Sequence, residues 1–300
     1  MTKRIILLLS ISFLLAACGG QSSTSTIAAP TPTPSGSPAS SLQVVPVASE
    51  IVVGPNRFAV GLIDPSSGMI PDASVHYTYF DLSDPSKPVV ESEANAVRYQ
   101  TPDGLTTYYA QERDFGRAGD WGVEIQARRA DGTVSSKRIG FRVLANSATL
   151  KVGAKAPALK TRTAADVGND LKQLSSATTP NPAFYRMSLA QAITNGKPTV
   201  LVFATPAFCQ TRMCGPTYDV VSALQNKTGD AANFVHVEVY SGLPNPAANG
   251  FQLDIAMKAF GLTTEPWVFL IDPGGVITWR VEGPVTEGEI EEQLKPLLGS

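Results

Sequence analysis

Residues 197–219 read KPTVLVFATPAFCQTRMCGPTYD, and the fold turns on how this stretch is read. Thr199–Ala204 is an apolar run of strand length, the pattern of a strand buried on both faces. Gly215-Pro216 suits the start of a helix, with proline at the first helical position, where a missing N–H has no cost. TYDVVSALQNKTG would carry that helix onward. Cys209 and Cys214 therefore stand at a strand-to-helix junction with four residues between them. A turn in that gap can bring two Cα atoms into the window of ~4.4–6.8 Å that a disulfide needs. One continuous helix would put them on poorly matched faces, so Cys209 is expected in the loop, outside the helix.

Outward from the junction, SLAQAITNG reads as a short helix from Ser188 that stops at Asn195-Gly196. After it come a strand FVHVEVYS, a helix LDIAMKAFG closed by Gly261, and two strands PWVFLID and VITWRVEG joined by the turn Asp272-Pro273-Gly274-Gly275. A terminal helix EGEIEEQLKPLLG completes the order αβαβαββα. Residues 148–300 are thus expected to form an α/β domain with a mixed central sheet, its opening segment being VGAKAPALKT.

Residues 50–147 have a different rhythm: IVVGPNRFAVGLID, ASVHYTYFDL, SEANAVRYQ, TTYYAQERDF, GDWGVEIQARR and TVSSKRIGFRVL, separated by Gly, Pro and Asp turns. Six or seven short strands at regular spacing predict an all-β, antiparallel, immunoglobulin-like sandwich with Trp121, Val123 and Ile125 pointing inward. Having no cysteine, it has no intersheet disulfide. His76 is the sandwich's only histidine and Met69 its only soft donor, too little for a copper site. The sandwich is expected to be a spacer or a partner-binding module whose partner is unknown.

The N-terminus sets the compartment. Lys3 and Arg4 precede the apolar run Ile5–Ala17, whose 13 residues are too few to span a bilayer, since a spanning helix takes about 20. This is the anatomy of an export signal. Leu15-Ala16-Ala17-Cys18 resembles the bacterial lipobox, which implies lipid attachment at Cys18 and an extracytoplasmic, membrane-anchored protein. Gly19 after it resembles lipoproteins that leave the inner membrane or sit on a single-membrane surface. The Ser/Thr/Pro-rich segment 19–49 reads as a disordered tether. Of three cysteines, assigning Cys18 to lipid leaves an even pair in an oxidising space. A formal net charge of -2 with 17% charged residues points to no nucleic-acid partner.

KPTVLVFATPAFC, the CGP triplet, the hairpin TTEPWVFLIDPGGVITWRVEG and the closing helix together resemble the thioredoxin superfamily over residues 153–299. The resemblance implies a thioredoxin-like fold and thiol-disulfide exchange by Cys209 and Cys214 on exported protein thiols or disulfides, without a cofactor. It also implies a cis Pro266 facing the pair, with Glu265 offering backbone groups to an extended substrate.

The spacing departs from the family's Cys-Gly-Pro-Cys. Counted from the strand, Cys209 is the first cysteine, with Phe208 in place of the family's tryptophan; counted from Gly-Pro, Cys214 is, and Thr217 replaces the second. The helix N-terminus favours Cys214 as thiolate, exposure favours Cys209, and Arg212 could support either. Attacker, resolver and direction stay open. Val202 stands where the family has a buried acid, and Asp219 is a speculative substitute. Other readings are a non-catalytic adaptor with a structural disulfide and, further off, a copper chaperone like the Sco family using His236. Zinc would lack ligands, so no metal is expected, and Thr205-Pro206 have the wrong order for a peroxiredoxin.

Overall fold

The structure, a computed structural model, describes residues 42–211 and 213–299. Cys18, the signal segment, residues 19–41 of the expected tether and Arg212 lie outside the described residues. Those described belong to one compact unit, and no helix among them is long and apolar enough to cross a membrane.

Ten strands build the first part: Gln43–Pro46 (β1), Ile51–Val52 (β2), Gly54–Asp64 (β3), Gly68–Met69 (β4), Ser74–Asp81 (β5), Val89–Asn95 (β6), Val97–Gln100 (β7), Thr107–Phe115 (β8), Gly119–Arg128 (β9) and Val134–Leu144 (β10). They form two sheets, β1-β3-β8-β7 with β4 on β3, and β2-β10-β9-β5-β6. Three expectations need correction. The tether does not reach residue 49, because Leu42 is buried and β1 pairs with β3 from Gln43 onward. The sandwich is not wholly antiparallel, since β2 runs parallel to β10. The strands number ten rather than six or seven because β1 and β4 are added, IVVGPNRFAVGLID divides into β2 and β3, and SEANAVRYQ breaks at Ala96, sending β6 to β5 in one sheet and β7 to β8 in the other. Trp121, Val123 and Ile125 do face inward, and Phe115 meets the Trp121 ring edge-on at 5.3 Å.

The second part runs Leu189–Ala192 (α1), Thr199–Ala204 (β11), Cys214–Thr228 (α2), Asn233–Glu238 (β12), Ile255–Phe260 (α3), Trp267–Ile271 (β13), Ile277–Glu282 (β14) and Glu287–Leu298 (α4). Its four-stranded sheet has the order β12-β11-β13-β14, with β11 parallel to β12 and antiparallel to β13, and β13 antiparallel to β14. This is the mixed sheet expected from the sequence. Strand β11 is buried on both faces. Val200 and Val202 pack on one side with Tyr218, Val221 and Ile290, Leu201 and Phe203 on the other with Met257 and Phe260, which is why its sequence shows no alternation.

Helix ends follow local chemistry. Ser188 and Gln191 form a capping box at α1, Thr286 and Glu289 another at α4. Thr286→Ala removes the acceptor for the Glu289 N–H, and a loss of about 1 kcal/mol is expected in a urea melt. Gly261 ends α3 at φ +69°, and a Cβ there would lie 1.9 Å from the Ala148 carbonyl oxygen, so no other residue fits.

The two parts are fastened by polar groups from the sandwich. Arg57, 6% exposed, donates to the carbonyls of Pro284 (2.9 Å) and Glu282 (2.8 Å) and pairs with Glu289 at 3.1 Å. Glu289 also accepts the Tyr108 hydroxyl. Around this centre Trp279 Nε1 donates to Glu112 at 3.1 Å, Arg280 pairs with Glu50 at 3.0 Å and Ser49 N–H donates to Glu282 at 2.7 Å. The sandwich, expected as a spacer or a partner-binding module, is joined to the α/β part by charges that 200-odd residues of sequence separate.

Candidate functional site

Cys209 and Cys214 form a disulfide with their Cα atoms 5.9 Å apart. The apolar strand β11 ends at Ala204, and a turn in which Phe208 N–H donates to Thr205 O (3.1 Å) carries the chain to Cys209. Ser176 Oγ holds this loop by accepting the Ala207 N–H at 3.1 Å. Cys209 lies in the loop as expected, half-buried, whereas Cys214 is fully buried.

The helix begins at Cys214 rather than at Gly215-Pro216, so Pro216 occupies its third position. That position still lies among the N–H groups without intrahelical acceptors, and proline costs it nothing. As a result the first N–H of α2, that of Cys214, points at Cys209 Sγ at 3.3 Å. Thr211 Oγ1 lies 3.3 Å from the same sulfur. Thr217, which one register put in the second cysteine's place, is buried and donates to the Gly283 carbonyl at 3.4 Å.

The Glu265–Pro266 peptide bond is cis, as the resemblance implied. The Leu243–Pro244 bond is cis as well, which nothing in the sequence reading anticipated. Glu265 brings more than its backbone, because a carboxylate oxygen lies within 4.8 Å of both sulfurs. Burial raises the pKa of this carboxyl above the usual range, while a hydrogen bond from the Gln210 backbone pulls the other way.

The acids sort themselves by burial. Val202 is core, as its type requires, and Asp219 is on the exposed face of α2. The buried acid of this region is Glu238 at the end of β12, 7% exposed, accepting from Ser176 N–H at 2.9 Å and from the Thr205 hydroxyl. Burial outweighs these donors and lifts its pKa to about 7. The sequence hid it because an acid at the end of an apolar strand looks like a solvated terminus.

The histidines are spoken for. His236 accepts the Tyr185 hydroxyl at Nδ1 (2.7 Å) and donates from Nε2 to Ala204 O (2.9 Å), and burial lowers its pKa to about 4. It points into the core, so the copper-chaperone reading loses its third ligand. His76 sits at the sandwich surface, bonded to Asn95 at 2.9 Å.

Beside the disulfide runs a cleft of about 400 Å³, walled by Val45, Val47, Ile63 and Met69 of the sandwich and by Thr211, Met213, Thr264 and Glu265 of the α/β part. Phe208, next to Cys209 in the chain, meets Phe251 at 5.9 Å, and Phe251 meets Tyr240 at 5.2 Å.

No known protein-family profile matches the chain, and no curated protein does. Among solved structures it is similar to a thioredoxin-family thiol:disulfide interchange protein from Chlorobium tepidum TLS, at 21% identity and TM-score 0.29 over 36% of this chain and 85% of that one. A putative thiol:disulfide interchange protein DsbE from Chlorobium tepidum aligns at 20% identity and TM-score 0.34, covering 50% of this chain and all of that one (100%). The fibronectin type-III domain of human fibronectin type III domain containing protein 3 aligns at 12% identity and TM-score 0.23 over 38% of this chain and 94% of its own.

Proposed function

We propose that the chain is an extracytoplasmic, thioredoxin-like thiol-disulfide oxidoreductase, anchored by lipid at Cys18 and acting on thiols or disulfides of exported proteins. The observation that carries this reading is the asymmetry of the pair, a half-buried Cys209 whose sulfur faces the first N–H of α2 and is joined to a fully buried Cys214.

On this reading the asymmetry supports Cys209 as attacker and Cys214 as resolver. The helix N-terminus supports negative charge on Cys209, the sulfur a partner can reach. Its thiolate attacks a partner disulfide to give a mixed disulfide, and Cys214 then attacks Cys209, releasing the reduced partner and closing the Cys209–Cys214 bond. The reverse sequence oxidises a partner dithiol. The backbone of Glu265 before cis Pro266 and the cleft between sandwich and α/β part would offer an extended partner segment a place beside the sulfurs.

Val202 in the usual acid's place favours one other reading, a structural staple in a binding lipoprotein. Reduction potential and exchange with dithiothreitol separate the two. The redox reading expects a potential between about -270 and -120 mV, a value below about -300 mV without exchange marking the staple. Cys209→Ser is expected to abolish exchange, and Cys214→Ser to accumulate the mixed disulfide.

A further inference from the structure

We infer that the Glu265 side chain is the acid–base group of the exchange, shuttling protons between the two cysteine sulfurs and the partner's. This rests on the redox reading above. The residue type matters because the position before the cis proline otherwise needs only backbone to hold a partner. Here it places a carboxylate oxygen within 4.8 Å of Cys209 Sγ and Cys214 Sγ, close enough for direct or single-water transfer once the disulfide opens. Partial burial moves this carboxyl toward the thiol range, which narrows the mismatch a proton must cross.

Among the described residues the buried acid Glu238 is committed to Ser176 and the Thr205 hydroxyl. Tyr240 is a titratable neighbour of Glu265, close enough for the two to interact electrostatically. Across the cleft, Tyr108 gives its hydroxyl hydrogen to Glu289, and Glu282 accepts from Ser49. The sandwich wall there presents uncharged side chains, Val45, Val47, Ile63 and Met69. Asp219 is on the exposed face of α2.

The steps balance as follows. Glu265 carboxylate takes the proton of the Cys209 thiol; the thiolate forms a bond to one partner sulfur, and the other partner sulfur leaves and takes that proton. Glu265 then takes the proton of the Cys214 thiol, which attacks Cys209, and the second partner sulfur leaves with it. Two electrons and two protons pass to the partner, whose disulfide becomes two thiols while Cys209 and Cys214 become the disulfide.

The test measures the rate at which the reduced protein reacts with oxidised glutathione from pH 5 to 9 for wild type, Glu265→Gln and Glu265→Asp. The expected result is a loss of about tenfold or more for Glu265→Gln at pH 7. The gap should close as pH rises past the pKa of the Cys209 thiol, and Glu265→Asp should keep part of the rate. Equal profiles, a faster Gln variant, or a loss of the same size at every pH would each overturn the inference while leaving the redox reading in place. A wild type that does not exchange at all overturns both.

Discussion

Arg57→Ala is expected to cost the folded chain about 3–5 kcal/mol, measured by urea unfolding at neutral pH. The guanidinium sits on three acceptors at once, the Pro284 and Glu282 carbonyls and Glu289 Oε1, none of which can turn to water while the two parts stay together. Removing it leaves Glu289, 5% exposed, as a buried carboxylate without its cation, beneath a Tyr108 ring that the guanidinium also covers at 5.2 Å. Glu289 has a second duty, accepting the Thr286 N–H at 3.0 Å in the α4 capping box. Damage at Arg57 should therefore spread to the closing helix. Glu289→Gln keeps the cap acceptor and removes the charge, so its cost should be the smaller of the two. A loss below about 1 kcal/mol for Arg57→Ala would mean that water reaches the pair and that the sandwich is only loosely fastened.

The contrast between what the sequence shows and what it hides follows from the range of the forces involved. Strand β11, the Gly261 stop of α3 and the loop position of Cys209 are written in runs of about ten residues, because burial on two faces, a left-handed cap and a turn are local demands. The cis Pro266 was legible only through the resemblance. Arg57 and Glu289 are 232 positions apart, and each alone looks like a solvated charge. The place of the Glu265 side chain is hidden for the same reason, because the two sulfurs near it come from a different loop. The start of the sandwich was misplaced because Gln43–Pro46 is a short segment that pairs only when β3 is already there.

The buried acid gives the other large effect, and it depends on pH. The Glu238 carboxyl has a pKa of about 7 in the fold against an ordinary value of 4.5. Between those values the folded state holds a proton that the unfolded chain has lost, so stability must fall as pH rises. The contribution is fully present below about pH 4.5 and lost above about pH 7, a change of about 3 kcal/mol. Two residues earlier on the same strand, His236 works in the opposite sense. Its pKa falls from 6.5 to about 4, so the unfolded chain binds the extra proton and stability rises with pH across that interval. Over roughly pH 4.5 to 6.5 the two slopes oppose each other, and the wild type hides both. Glu238→Gln keeps the length and the acceptor for Ser176 while removing the titration. The difference in stability between wild type and this variant, read from urea melts at several pH values, is expected to move against the wild type by about 3 kcal/mol from pH 4.5 to 7.5. The variant alone should gain stability between pH 4.5 and 6.5 as the His236 slope is uncovered. A difference that stays constant across the series would show that Glu238 is ionised in the fold at low pH, with the Ser176 and Thr205 donors outweighing its burial.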